Sequence, residues 1–163
     1  MAFQIINSII SWFLKKRKHQ IELFLKYPTN VQEEVLIDLI NKAKNTKFGI
    51  KKEFIKNKNY TDFSLNIKIQ QYETFEPLIK RCRGGEQNLF WPTQIKWFAK
   101  SSGTTNAKSK FIPVSDDALE NCHLKAGKDM LCLYINNNPD TQLFTGKSLR
   151  LGASSDVYHD NGS

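Results

Sequence analysis

The chain is poor in the features that would narrow its chemistry at once. Cys82, Cys122 and Cys132 are its three cysteines, an odd number with no C-x-x-C spacing, which argues against a disulfide framework and against a zinc site. Reduced, mostly buried thiols are expected. The apolar opening, Met1 to Leu14, is too short to span a bilayer. It also lacks a positive leader and a small-residue cleavage site, and its basic run follows the apolar part. A cytoplasmic chain is the expectation. His19, His123 and His159 have no second ligand or nucleophile at useful spacing and read as surface or internally satisfied histidines. Internal repeats and low-complexity segments are also lacking.

What the chain does have is a core-forming composition, 40% hydrophobic and 12% aromatic over 163 residues, which suits one domain. Its formal net charge is +8, and the cations are unevenly placed. Lys15, Lys16, Arg17 and Lys18 form one run, and many other lysines scatter through residues 42–58 as on solvated helix faces. Such a balance suits an anionic small molecule, a nucleic acid or a membrane surface.

Apolar periodicity outlines the elements. Ile5, Ile6, Ile9, Ile10 and Phe13 recur at helical spacing and predict an amphipathic helix packed on the rest of the domain, with a membrane-surface anchor as the functional alternative. Asn30 with Glu33 reads as a capping box for a second helix whose apolar face is Val31, Val35, Leu36, Leu39, Ile40 and Ala43. That helix is expected to stop near Asn45, its end supplied by Asn-Thr-Lys-Phe-Gly, and a lysine- and asparagine-rich connection then runs to Asp62. Leu65, Ile67 and Ile69 alternate with polar residues and predict a short strand; Tyr72 to Arg81 predicts a helix with Pro77 near its first turn. Gly84-Gly85 marks a turn, and a strand is expected at Ile95 to Lys100. Ser115 with Asp116 and Asp117 begins another helix, carried on by Leu119, Cys122, Ala126, Met130 and Leu133 and ended by Asn136-Asn137-Asn138-Pro139. One or two strands are expected within residues 142–152, around Gly146.

The chemically informative stretch runs from Lys100 to Lys110. It concentrates serine and threonine hydroxyls, Gly103 and the lysines at 100, 108 and 110. A polyphosphate needs such groups: glycine lets backbone amides approach, hydroxyls donate to phosphate oxygens, and ammonium groups offset developing charge. It is not a Walker A loop, because the second glycine would fall at position 108, which is lysine. Gly146-Lys147-Ser148 fails likewise, with Thr141 where the first glycine is needed. On composition alone, a plain loop and a nucleotide site both remain open.

The string Ile95-Lys96-Trp97-Phe98-Ala99-Lys100-Ser101-Ser102-Gly103-Thr104-Thr105, with Lys108-Ser109-Lys110-Phe111-Ile112-Pro113 after it, closely resembles the first nucleotide motif of the auxin-responsive-promoter family of acyl-acid amido synthetases, in its bacterial branch. Asn-Thr-Lys-Phe-Gly at 45–49, Tyr72-Glu73, Arg-Gly-Gly-Glu at 83–86 and Trp91-Pro92 extend the resemblance over most of the chain. Asn106-Ala107 departs from the glycine common at this place in the wider superfamily, which leaves the choice between Lys108 and Lys110 as the phosphate-facing lysine open.

The resemblance implies an α/β fold, here the truncated N-terminal part of a large adenylate-forming, ATP-binding domain whose C-terminal lid is absent. It implies a ligase that activates a carboxylic acid with Mg-ATP as an acyl-adenylate and passes it to an amino acid as an amide. Ser101, Ser102, Gly103, Thr104 and Thr105 would then bind phosphate, and Lys108 or Lys110 would offset charge during adenylation. The Mg²⁺ ligand is expected outside these residues, and the chain alone is expected to be inactive. ATP and the two small substrates are the partners implied, with no nucleic acid and no stable membrane insertion. Asp156, His159 and Asp160 could line an acyl pocket. Two other readings stand beside this one: a basic module that binds a membrane surface or nucleic acid through residues 12–26, and an adenylating enzyme with a thiol acceptor.

Overall fold

Short helices alternate with one β-hairpin along the computed structural model, which describes residues 2–101, 109–145, 147 and 149, with side chains from Ser8 onward. In chain order they are α1 (Ala2–Lys15), α2 (Lys18–Lys26), α3 (Pro28–Ala43), α4 (Lys47–Lys51), α5 (Tyr60–Asn66), α6 (Tyr72–Arg83), β1 (Trp97–Lys100), β2 (Phe111–Val114), α7 (Asp116–Ala118) and α8 (Lys125–Asn137). A 3₁₀ turn occupies Phe54–Lys56 and a π-helical turn Leu119–Leu124. The result is a helix-rich α/β arrangement with a two-stranded antiparallel sheet. Among the described residues no helix is long and apolar enough to cross a membrane.

The chain divides into two units. A helical unit takes the chain up to Pro28 and the described residues from Glu120; a hairpin unit takes Thr29–Leu119. In the helical unit α1 and α2 pack on α8, burying Leu14, Cys132 and Ile135. Arg17 leaves the basic run to grip Asp129, with Nε 2.7 Å from Oδ1 and Nη2 3.2 Å from Oδ2. The packing of α1 agrees with expectation, but its phase does not: Leu14 turns inward and Ile9 and Phe13 face solvent. Ile5 and Ile6 lie outside the described side chains. The expected stripe on α8 is displaced too. Cys122, Ala126, Met130 and Leu133 are all exposed while Cys132 and Ile135 are buried, so the stripe keeps its period but faces solvent, and a different face of α8 is covered.

α3 starts at Pro28 rather than after Asn30, since proline's fixed φ and missing N–H suit a first helical position. Ile40 and Ala43 of its predicted face are buried, and Val35 and Leu39 are exposed. Asn-Thr-Lys-Phe-Gly does more than end that helix. Thr46, fully buried, caps α4 by accepting the Gly49 N–H at 3.0 Å and donates its own hydroxyl to Ala43 C=O at 2.7 Å. Gly49 is needed for this close return of the chain: a Cβ there would lie 2.1 Å from the Ala43 carbonyl oxygen.

The strand expected at Leu65–Ile69 is absent. Asn59 caps the helix by accepting the Asp62 N–H at 2.9 Å, and Asp62 takes the Lys58 N–H at 3.0 Å, two local bonds that commit the segment to α5. Leu65 and Ile69 are left exposed. The connection to Asp62 is likewise structured, by α4 and the 3₁₀ turn. In α6, Pro77 lies in the second turn rather than the first, so the amide that would bond the Glu73 carbonyl is missing. Packing of Ile79 and Cys82 holds the helix there regardless.

Gly85, with φ +94°, provides the predicted turn, in which Glu86 N–H reaches Arg81 C=O at 3.1 Å. Buried Cys82, Leu89 and Ile95 gather Leu78, Phe90, Trp91 and Phe98 around them. Phe48 touches Phe54, Phe75 and Phe90 at ring separations of 5.6–5.8 Å. Ser115 caps α7 as expected, accepting the Ala118 N–H, and Asp117 is drawn aside to the Trp91 indole N–H at 2.8 Å. Of residues 142–152, Leu143–Thr145 form a turn; Gly146, Ser148 and residues 150–152 lie outside the described residues.

Candidate functional site

Apolar residues on both sides of the glycine-bearing stretch form the hairpin that holds it. β1 and β2 pair antiparallel, Trp97 opposite Val114, Phe98 opposite Pro113, Ala99 opposite Ile112 and Lys100 opposite Phe111. Ser101 then closes the neck of the connecting loop. Its N–H donates to Lys110 C=O at 2.9 Å, and its Oγ accepts the Lys110 N–H at 2.9 Å. The first and last of the expected phosphate-contacting residues are thus brought together. Ser102, Gly103, Thr104, Thr105 and Lys108 lie outside the described residues.

Lys110 is engaged by the start of α6. Its Nζ lies 3.2 Å from Glu73 Oε1 and 4.8 Å from the centre of the Tyr72 ring. The Tyr72 hydroxyl accepts the Phe111 N–H at 3.0 Å and donates to Phe111 C=O at 3.1 Å, occupying both backbone groups of that residue. The Arg83 guanidinium stacks 3.8 Å over the Phe111 ring. The Glu73 carboxyl is held below its ordinary range, first by its own backbone N–H and then by the Lys110 ammonium.

Beside this edge lies an apolar cavity of about 250 Å³ lined by Tyr72, Phe75, Ile79, Phe90, Phe111, Ile112 and Pro113. It suits a hydrocarbon or aromatic group rather than a phosphate. Composition and periodicity single out neither Tyr72 nor Glu73, because one tyrosine at a helix start carries no periodic signal; only the Tyr72-Glu73 pair within the resemblance marks the place. Asp156, His159 and Asp160 lie outside the described residues. Among the described residues no group of three or more His, Cys, Asp or Glu side chains is placed to hold a metal ion.

A family model described as the GH3 family N-terminal domain matches residues 17–162. No curated protein matches the chain.

Proposed function

Since the chain belongs to the GH3 family, whose members are acid–amino acid ligases, we propose that it serves ATP-dependent activation of a carboxylic acid as an acyl-adenylate, followed by amide formation with an amino acid. Residues 1–163 would be the N-terminal part of the ATP-binding domain, with the lid and acceptor site supplied by other residues. The observation that carries the reading is the Ser101–Lys110 pairing at the end of the β1–β2 hairpin, between which the sequence supplies Ser102-Gly103-Thr104-Thr105.

In this reading ATP enters as its magnesium complex. Ser102, Thr104 and Thr105 contribute hydroxyl and amide donors to the phosphate oxygens, Ser101, whose N–H is held by Lys110 C=O, contributes its hydroxyl proton, and Gly103 lets the backbone approach. The carboxylate of the acid attacks the α-phosphorus, forming the acyl–phosphate bond as the bond to pyrophosphate breaks. Lys108 or Lys110 offsets the charge that grows on the departing pyrophosphate. An amino acid's amine then attacks the acyl carbon and AMP leaves.

ATP binding by the 163-residue chain, followed by a fluorescent ATP analogue and competition with ATP, tests the loop assignment. Hydrogen bonds to charged groups contribute about 1.5–3 kcal/mol each, so the Ser102→Ala, Thr104→Ala double variant is expected to bind at least about tenfold more weakly. Equal affinity would sink the assignment. Pyrophosphate release by a complete synthetase carrying the same pair of substitutions is expected to fall in parallel.

A further inference from the structure

We propose that Tyr72 and Glu73 are positioning residues for the phosphate loop, Tyr72 fixing its exit strand and Glu73 holding the Lys110 ammonium until an anion takes it. The proposal rests on the reading of Ser101 to Lys110 as that loop.

The two residues act on adjacent parts of one short segment. Lys110 has both backbone groups bonded to Ser101, and Phe111 has both of its own bonded to a single tyrosine hydroxyl. Four hydrogen bonds of 2.9–3.1 Å therefore fix the backbone on which the Lys110 side chain is mounted. The side chain itself is held far more loosely. Its ion pair with Glu73 is open to solvent, the two side chains being 43% and 64% exposed, and pairs of this kind contribute little. The Tyr72 ring beneath the ammonium offers a second, weak attraction that needs no counter-charge. A fixed backbone with a loosely held cation is the arrangement expected of a group that must change partner. A polyphosphate arriving at the loop competes with Glu73 for Lys110, so Glu73 lowers anion affinity while Tyr72 raises it.

Pyrophosphate titrated calorimetrically into the 163-residue chain, with amide hydrogen exchange on the same samples, tests both roles. Glu73→Gln is expected to tighten pyrophosphate binding about two- to fivefold, the range set by an exposed ion pair. Loss of structure would not produce a gain, and the gain should vanish in a Lys110→Met background. Tyr72→Phe keeps the ring and removes the hydroxyl; it is expected to speed Phe111 amide exchange and weaken pyrophosphate binding, each by about three- to tenfold. Unchanged or weaker binding by Glu73→Gln overturns the role of Glu73, and unchanged exchange at Phe111 overturns that of Tyr72. If neither the wild-type chain nor Glu73→Gln binds pyrophosphate, the loop reading fails and the Glu73 role with it, whereas the exchange at Phe111 still decides whether Tyr72 holds the strand.

Discussion

In the hairpin unit, burial is spread over side chains from several elements: Ile40 and Ala43 of α3, Ile79 and Cys82 of α6, and Leu89 and Ile95 of the segment that leads to β1, with Thr46, Asn57 and Ser115 as buried polar groups. The helical unit buries Leu14, Cys132 and Ile135, and adds the Arg17–Asp129 pair. Ile9, Trp12 and Phe13 of α1 stay exposed in it. Hydrophobic stabilisation follows apolar area removed from water, and among the described residues the hairpin unit has the more numerous buried apolar side chains. It also contains Ser101 and Lys110. A loop that must present amides and hydroxyls to an anion benefits from a mounting whose own backbone groups are already paired, as Ser101 and Tyr72 provide here.

Matching substitutions at two glycines should give opposite signs in the two units. Gly49→Ala drives a methyl against the Ala43 carbonyl and is expected to destabilise the hairpin unit by about 2–3 kcal/mol in urea unfolding. Gly127→Ala, in α8 with nothing near its new Cβ, is expected to stabilise the helical unit by about 0.5 kcal/mol. Equal signs would show that the close return at Gly49 is not tight in solution. Next in size is Thr46→Val, which removes the cap on α4 while keeping the shape. A loss of about 1–2 kcal/mol is expected, with faster exchange of the Gly49 amide as the local readout.

The smallest effect concerns acid. Glu86 accepts from Arg81, with Nε and Nη2 each 2.7 Å away, and from Lys47. Chiefly through Arg81, then Lys47, its carboxyl is lowered from 4.5 to about 2. A carboxyl depressed on folding stabilises the folded chain above its unfolded pKa, and that contribution is lost as pH falls through the folded value. Stability should therefore decline between about pH 4.5 and 2 in the wild type and less steeply in Glu86→Gln, as measured by thermal melts across that range. Parallel slopes would mean that the solvent around this exposed pair screens it fully.

Local signals were legible where one short-range interaction decides the outcome. Ser115 reads as a cap and is one; the Gly84-Gly85 turn, α6 and β1 fall close to their predicted places. The misses share a different cause. Alternation at Leu65, Ile67 and Ile69 resembles a strand, but a strand needs a partner, and the local caps among residues 58–62 require none. On α8, periodicity marks a helix but not the side a neighbour covers: Met130 and Leu133 face solvent while Cys132 and Ile135 are buried. At the site, the glycine- and hydroxyl-rich string announced itself, whereas Tyr72 and Glu73 come from 38 and 37 positions before Lys110, and only folding brings them to it.

Each unit also contains one buried thiol, Cys82 in the hairpin unit and Cys132 in the helical unit, and a third, Cys122, is exposed. Burial raises both buried thiols above their usual value, so little reactive thiolate forms even apart from steric protection. An alkylating reagent at neutral pH should therefore modify Cys122 at once and the other two only as their surroundings open. With Cys122 blocked, the remaining labelling rates act as two internal clocks, one for each unit. Their ratio tells whether the two bodies open together or separately.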